Sequence, residues 1–219
     1  MNNWTVLGAG AIGGLFACEL KAASVEVNIA NRANQPITNR CIEVQRDNKH
    51  TRFEFEILKP NQVIQSLILA TKTYQSEAAI QQIATQLAAK PTILVLQNGM
   101  GVTEWLQACF PDAIILAATT THGAFRSDHN TIVHAGTGTT WLGPLSKDHL
   151  SAAQQLHSSW QQKGVSIDWD ANIEKRLWLK LAINCAINPL TVLYDCRNGE
   201  LLNNPQARQL MADVITEYI

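Results

Sequence analysis

The stretch Trp4-Thr-Val-Leu-Gly-Ala-Gly-Ala-Ile-Gly13 decides the fold class. Residues 4–7 form a short apolar run of strand type. They pass directly into Gly8-Ala9-Gly10-Ala11-Ile12-Gly13, a GxGxxG that opens a segment with Ile12, Leu15, Phe16 and Leu20 at helical spacing. In that setting Gly8 permits the tight turn, Gly10 lets the backbone approach a pyrophosphate, and Gly13 allows close helix packing. The helix N-terminus that Ala9, Ala11 and Ile12 help to build offers unpaired N–H groups and a positive dipole end to phosphates. A glycine-rich turn without a ligand is the competing reading, and the strand before it and the helix after it weigh against that.

Outward from this stretch, short β-rich runs alternate with helical segments, the pattern of βαβ units in a parallel sheet covered on both faces. Val25, Val27 and Ile29 alternate as a second strand, and 41–45 with 53–57 read as a hairpin around Asp47-Asn48-Lys49. Strands follow at 67–70, 92–96 and 114–119, separated by helices over 74–89 and 103–109. Residues 131–134 and 140–142 read as short antiparallel strands. A helix over 151–163, capped at Ser151 or near His149, and a strand over 165–169 end this part. From Glu174 onward strand signals stop.

The expectation is an α/β chain: an N-terminal Rossmann-type doubly wound domain over 1–172, then the start of an all-helical C-terminal domain over 173–219. The last helix begins with Pro205 in its first turn and reaches Ile219 without a Gly, Asn or basic C-cap, so the helical domain is expected to be truncated here. Leu210, Val214 and Ile215 on that helix would then seek a partner, which makes a homodimer the expected assembly.

Composition narrows the function classes. With 46% hydrophobic and 16% charged residues among 219, the chain buries enough apolar surface to fold. Lys plus Arg total 17 against 18 acidic residues, a net charge of -1 that gives no field for nucleic acid or an anionic membrane. Cys18, Cys41, Cys109, Cys185 and Cys196 show no CxxC pair or zinc spacing, so no metal is expected and they read as reduced, mostly buried thiols. No apolar run is long enough to span a bilayer, and a cytoplasmic location is expected.

The end of the second strand distinguishes the nicotinamide cofactors, because an acid there binds the ribose 2′-hydroxyl whereas a 2′-phosphate needs a cation. The chain reads Asn31-Arg32, with no acid until Glu43, which favours NADP(H). Thr71-Lys72 and Asn98-Gly99 close later strands at the edge where open α/β sheets bind ligands. Lys72 is expected near the adenosine half and Asn98 near the nicotinamide ribose. His122, in Thr-Thr-Thr-His-Gly-Ala, reads as structural.

The segment from Trp178 to Pro189 is apolar apart from Lys180, Asn184 and Asn188, spaced i, i+4, i+8 along one helical stripe. An otherwise apolar helix is expected to be buried, so a stripe carrying an ammonium and two amides should face a ligand. Lysine suits carbonyl reduction, since its ammonium polarises the carbonyl and protonates the developing alkoxide, while the asparagines bond a small acid without adding charge. Snorkelling of Lys180 to solvent is the competing reading.

Taken in order, the glycine motif, Asn31-Arg32, Lys72, Asn98-Gly-Met-Gly, Thr-Thr-Thr-His-Gly-Ala, Lys180-x-x-x-Asn184-x-x-x-Asn188-Pro-Leu-Thr and Asn198-Gly-Glu resemble the ketopantoate reductases. The resemblance covers essentially the whole chain. It implies NADPH-dependent reduction of 2-dehydropantoate to (R)-pantoate, on the route to pantothenate and coenzyme A. Lys180 matches the catalytic lysine, and Asn98, Asn184, Asn188 and Asn198 match substrate-contacting asparagines. Gly8, Ala9, Gly10, Ala11, Ile12, Gly13, Arg32, Lys72, Asn98 and Ala124 match positions at NADP(H). Family members continue past this endpoint through further helices. Two alternatives share the motifs: an NADP(H)-binding fragment without turnover, and a reductase of another small 2-oxo or 3-hydroxy acid.

Overall fold

Strands that are apolar on both faces need cover on both, and the order of elements supplies it. A computed structural model of the chain describes residues 3–30 and 39–217. Its elements are β1 (Trp4–Leu7), α1 (Ala11–Ala22), β2 (Val27–Ala30), β3 (Asn39–Arg46), β4 (Lys49–Glu56), β5 (Ile64–Leu69), α2 (Ser76–Ile83), β6 (Leu87–Val95), α3 (Val102–Cys109), β7 (Ile114–Thr120), β8 (Gly123–Arg126), β9 (Thr131–Gly136), β10 (Thr140–Pro144), α4 (Leu150–Gln162), β11 (Asp168–Trp169), α5 (Ile173–Leu193) and α6 (Pro205–Glu217). The chain divides into two compact units, Met1–Ile173 and Glu174–Ile219.

In the first unit, the main sheet has the strand order β11-β10-β7-β6-β5-β1-β2 among the described residues. Strands β2, β1, β5, β6 and β7 run parallel, with Val6 facing Ile29 on one side and Ile68 on the other. The order reverses beside β1, so the crevice past the carboxyl ends of β1 and β5 is a topological switch point, where such sheets bind ligands.

Alternation along the strands divides the core. Val6, Ile68, Leu94 and Leu116 face α1 and α4, where Trp160 packs on Trp4 and Phe16 with ring centroids 5.1 and 5.7 Å apart. Leu67, Leu69, Ile93, Val95 and Ile115 face Ile80 and Ile83 of α2 and Leu106 of α3. The doubly wound Rossmann-type architecture is therefore present.

A second sheet, ordered β4-β3-β9-β8, covers the outer face of α1. The packing there is close: a Cβ on Gly14 would lie 2.6 Å from Ile132 Cδ1, so that side chain would have to shift. The expected hairpin is present, with Val44 opposite Thr51 and Asp47 in the turn at φ 53°.

Several local expectations are corrected. The helix over 74–89 stops at Ile83 after a 3₁₀ turn at Thr73–Gln75, and residues 87–89 begin β6. Pro91 disfavours a helical backbone at Lys90, and the Gln86 amide donates to the Lys59 carbonyl at 2.8 Å, fixing the turn before the strand. The expected short antiparallel strands at 131–134 and 140–142 are present, but in different sheets. Strand β9 joins β3 in parallel and β8 in antiparallel fashion, while β10 runs antiparallel to β7 in the main sheet. Helix α4 starts at Leu150 with His149 as its N-cap, one of the two expected places, after a 3₁₀ turn capped by Ser146, which accepts from the Asp148 amide at 3.1 Å. The last strand is only Asp168–Trp169. All five cysteines are free, but only Cys18 is buried, and burial pushes its thiol up to about 12.

In the second unit, Leu190, Leu201 and Ala207 form a small core with Ile187, Tyr194, Cys196 and Met211. Asn204 caps α6 by accepting from the Gln206 and Ala207 amides at 2.9 and 3.2 Å. Helix α5 runs on through Pro189, and Thr191 Oγ1 donates to the Asn188 carbonyl at 2.8 Å. The expectation that this helix is buried all round is corrected: Trp178, Leu179 and Ile183 are 48%, 60% and 48% exposed. The core of this unit gathers on the C-terminal half of α5, so the apolar N-terminal half presents a face to solvent.

Candidate active site

The glycine loop has the shape its sequence requires. Gly8 has φ +98°, and a Cβ there would lie 2.5 Å from the Thr71 nitrogen, so the β1 turn and the β5 turn abut. A Cβ on Gly13 would lie 2.4 Å from the Gly8 carbonyl oxygen and 2.7 Å from Ala70 Cβ, which is why the helix approaches the sheet so closely. Gly10, the N-cap of α1, has no side chain to occupy the first amides and crowds nothing nearer than 4.0 Å. The amides of Ala11, Ile12 and Gly13 therefore point out of the helix end without intrahelical partners. This cradle fits a dinucleotide pyrophosphate. Ala9 is buried, and its carbonyl accepts from Arg40 Nη2 at 2.9 Å, so the second sheet also anchors the loop.

Lys72 and Asn98 stand on neighbouring turns at the same carboxyl edge, after β5 and β6, and both are exposed. Their backbones are held while their side chains reach solvent: the Lys72 carbonyl accepts from the Gln75 amide at 2.8 Å, and the Asn98 carbonyl accepts from Thr73 Oγ1 at 2.7 Å. Ala124 lies on β8, opposite His134. Asn31 and Arg32 lie outside the described residues.

Lys180, Asn184 and Asn188 share one stripe of α5 in the second unit. Lys180 and Asn184 are half-buried and Asn188 is exposed. Burial pushes the Lys180 ammonium down to about 8 from 10.5, because taking a cation out of water favours its neutral form. Asn198, which is exposed, begins the 3₁₀ turn Asn198–Asn203, where Glu200 accepts from the Arg197 amide at 2.7 Å.

Two polar networks in the first unit escape a reading of the sequence. Gln97, at the end of β6, donates from Nε2 to Thr71 Oγ1 at 2.9 Å and to Ser76 Oγ at 2.5 Å. In the second network, Arg46 Nε donates to His134 Nδ1 at 2.8 Å, His134 Nε2 lies 2.9 Å from His122 Nδ1, and the Gly138 amide donates to that same nitrogen at 3.1 Å. Each Nδ1 thus accepts, so both imidazoles are neutral with the proton on Nε2. A polar residue closing an apolar strand was the only available sign of Gln97, and nothing in the sequence pairs the two histidines. Among the described residues, no group of three or more His, Cys, Asp or Glu is placed to hold a metal ion. No helix of the described residues is long and apolar enough to cross a membrane.

Comparison with known proteins accounts for both units. Residues 4–147 match the family Ketopantoate reductase PanE/ApbA, and residues 172–219 match Ketopantoate reductase PanE/ApbA C terminal. The chain is 34% identical over 222 residues to a 2-dehydropantoate 2-reductase of Vibrio cholerae, covering 98% of this chain and 71% of that protein. It is 35% identical over 220 residues to its namesake in Escherichia coli O157:H7, with 98% and 70% covered. In fold it resembles a D-mandelate dehydrogenase solved with NADH and anilino(oxo)acetate, at TM-score 0.86 and 22% identity over 99% of this chain and 72% of that one. A 2-dehydropantoate 2-reductase from Geobacter metallireducens GS-15 gives TM-score 0.84 at 21% identity over 98% and 73%. A glycine-loop unit and a lysine-bearing helix, each matched by its own part of one family, establish that the chain belongs to the ketopantoate reductases, a family of oxidoreductases.

Proposed function

We propose that the chain reduces 2-dehydropantoate to (R)-pantoate with NADPH, in the cytoplasm and on the route to pantothenate and coenzyme A. The observation that carries this reading is the extension of the family match over both the glycine loop and the Lys180-Asn184-Asn188 stripe. NADPH, when bound, supplies a hydride to the keto carbon. The free amides at the start of α1 hold the pyrophosphate, and Lys72, Asn98 and Ala124 complete the cofactor contacts. Arg32, standing where an acid would select NAD, takes the 2′-phosphate. Asn98, Asn184, Asn188 and Asn198 bond the hydroxyl and carboxylate oxygens of the substrate. Lys180 polarises the ketone and gives its proton to the oxygen, leaving a hydroxyl and a neutral amine that regains its proton from solvent. A value near 8 keeps this lysine charged at neutral pH yet ready to donate. A homodimer is the proposed assembly.

Titration with NADPH and NADH, followed by turnover on a panel of 2-oxo acids, tests the reading. The expected result is at least tenfold tighter binding of NADPH, about 1.4 kcal/mol, lost in Arg32→Ala, with 2-dehydropantoate the preferred substrate. Equal affinities refute the role of Arg32. NADPH binding without turnover of any oxo acid identifies a nucleotide-binding module instead.

A further inference from the structure

We propose that Gln97 is a positioning residue for cofactor binding, locking the turn that carries Lys72 to the turn that carries Asn98. This rests on the reading that the glycine loop, Lys72 and Asn98 hold NADP(H). Gln97 is 6% exposed, and its hydrogen bonds reach across to residues of the neighbouring turn. The hydroxyl protons there each have one place to go. Ser76 Oγ donates to the Lys72 carbonyl at 3.3 Å, so the 2.9 Å contact between Thr71 Oγ1 and Ser76 Oγ is a donation from Thr71. Donation therefore runs in one direction: from Gln97 to Thr71 and Ser76, from Thr71 to Ser76, and from Ser76 to the backbone of Lys72.

A second tie lies beside the first. Thr73 Oγ1 donates to the Asn98 carbonyl, and a Cβ on Gly99 would lie 3.0 Å from that same hydroxyl. Lys72 thus sits between two anchored threonines, and Asn98 sits between Gln97 and a glycine packed on Thr73. The root of the lysine is fixed while its ammonium stays in solvent, which suits a cation that must meet a phosphate without first losing backbone freedom. Thr71 also abuts Gly8, so the same tie sets the edge of the glycine turn.

Stability alone does not account for an amide at this position. Gln97 Oε1 is buried and has no hydrogen-bond partner among the described residues, a burden that an apolar side chain of the same length would not carry.

The test is a double-mutant cycle read by NADPH fluorescence on the whole chain, with thermal unfolding as a control. Gln97→Met is expected to leave the melting temperature within a few degrees while raising the Kd for NADPH about tenfold. In a Lys72→Ala background the same substitution should raise Kd by a clearly smaller factor than in wild type, because part of its effect passes through Lys72. Thr71→Val, which removes the first hydroxyl of the relay, should repeat this pattern and serves if Gln97→Met folds poorly. An unchanged Kd in the variants, or equal losses with and without Lys72, overturns the proposal while the cofactor reading stands. A wild-type chain that binds neither NADPH nor NADH overturns the cofactor reading and this proposal with it.

Discussion

A lysine that loses its proton near pH 8 is a far better acid toward an alkoxide than one at the usual 10.5, and burial pushes Lys180 there. Lys180→Ala should lower kcat by roughly 10²-fold, the usual worth of a positioned general acid, while the Kd for NADPH stays within about twofold. Steady-state kinetics and cofactor titration on the same variant check both halves, and normal turnover would leave a lysine that merely snorkels. The wild-type kcat should fall as pH rises through about 8, since the donor is then neutral. Lys180→Arg, which cannot deprotonate in that range, should flatten this limb whatever activity remains. At this scale the sequence is informative wherever polarity interrupts an apolar run, as it does at Lys180 and Asn184. It is silent where partners are distant in the chain: Gln97 looks like any polar strand end until Thr71 and Ser76 are brought to it.

At the scale of elements, α1 is the most constrained, lying between the main sheet and the second sheet. Gly13→Ala would place a Cβ 2.4 Å from the Gly8 carbonyl oxygen, and neither that backbone nor Ala70 can yield as the tip of a flexible side chain would. Its expected cost is about 1–3 kcal/mol in urea unfolding, with a loss of NADPH affinity of tenfold or more as the loop tilts away from the sheet. A variant that binds NADPH normally would mean that the closeness of α1 to β1 is unimportant for the cradle. Strong periodicity made α1, β5 and β7 legible, because glycine chemistry and two-sided burial leave a mark on the residues themselves. Strand β8, with only Gly-Ala-Phe-Arg, carries no such pattern, and its identity comes from pairing with β9. The helix expected to reach residue 89 failed for the same reason: the pairing of Leu87 with Ile64 outweighed local propensity.

Over the whole molecule, the two sheets meet at the His122–His134 pair, which joins the end of β7 to β9 and, through Arg46, to β3. Burial lowers both pKa values, each imidazole also feels the Arg46 guanidinium, and His122 feels His134 as well. A histidine depressed in the folded state binds its proton more readily when unfolded. Stability should therefore fall as pH drops below about 6.5 and level off below the depressed folded values. Burial raises Glu19 instead, which acts in the opposite sense as pH rises above its ordinary 4.5, and the Gly136 backbone and then Asp47 partly offset the shift of His134. Comparison with a variant isolates the pair. Between pH 7.5 and pH 5, wild type should lose more stability in urea unfolding than His122→Gln/His134→Gln. Equal losses would remove the pair from the pH dependence.

The second sheet also dictates an order of assembly. Val44 pairs in parallel with Ile132, closing a loop of about 90 residues that contains most of the main sheet. Closing its ladder over an unfolded loop of that length is entropically costly, so β5, β6 and β7 are expected to assemble before it. In pulsed hydrogen exchange during refolding, amides of β5 and β6 should gain protection first, and those of β3 and β9 last. A newly made chain would therefore expose the outer face of α1 through most of its folding time, and chaperones would meet it there.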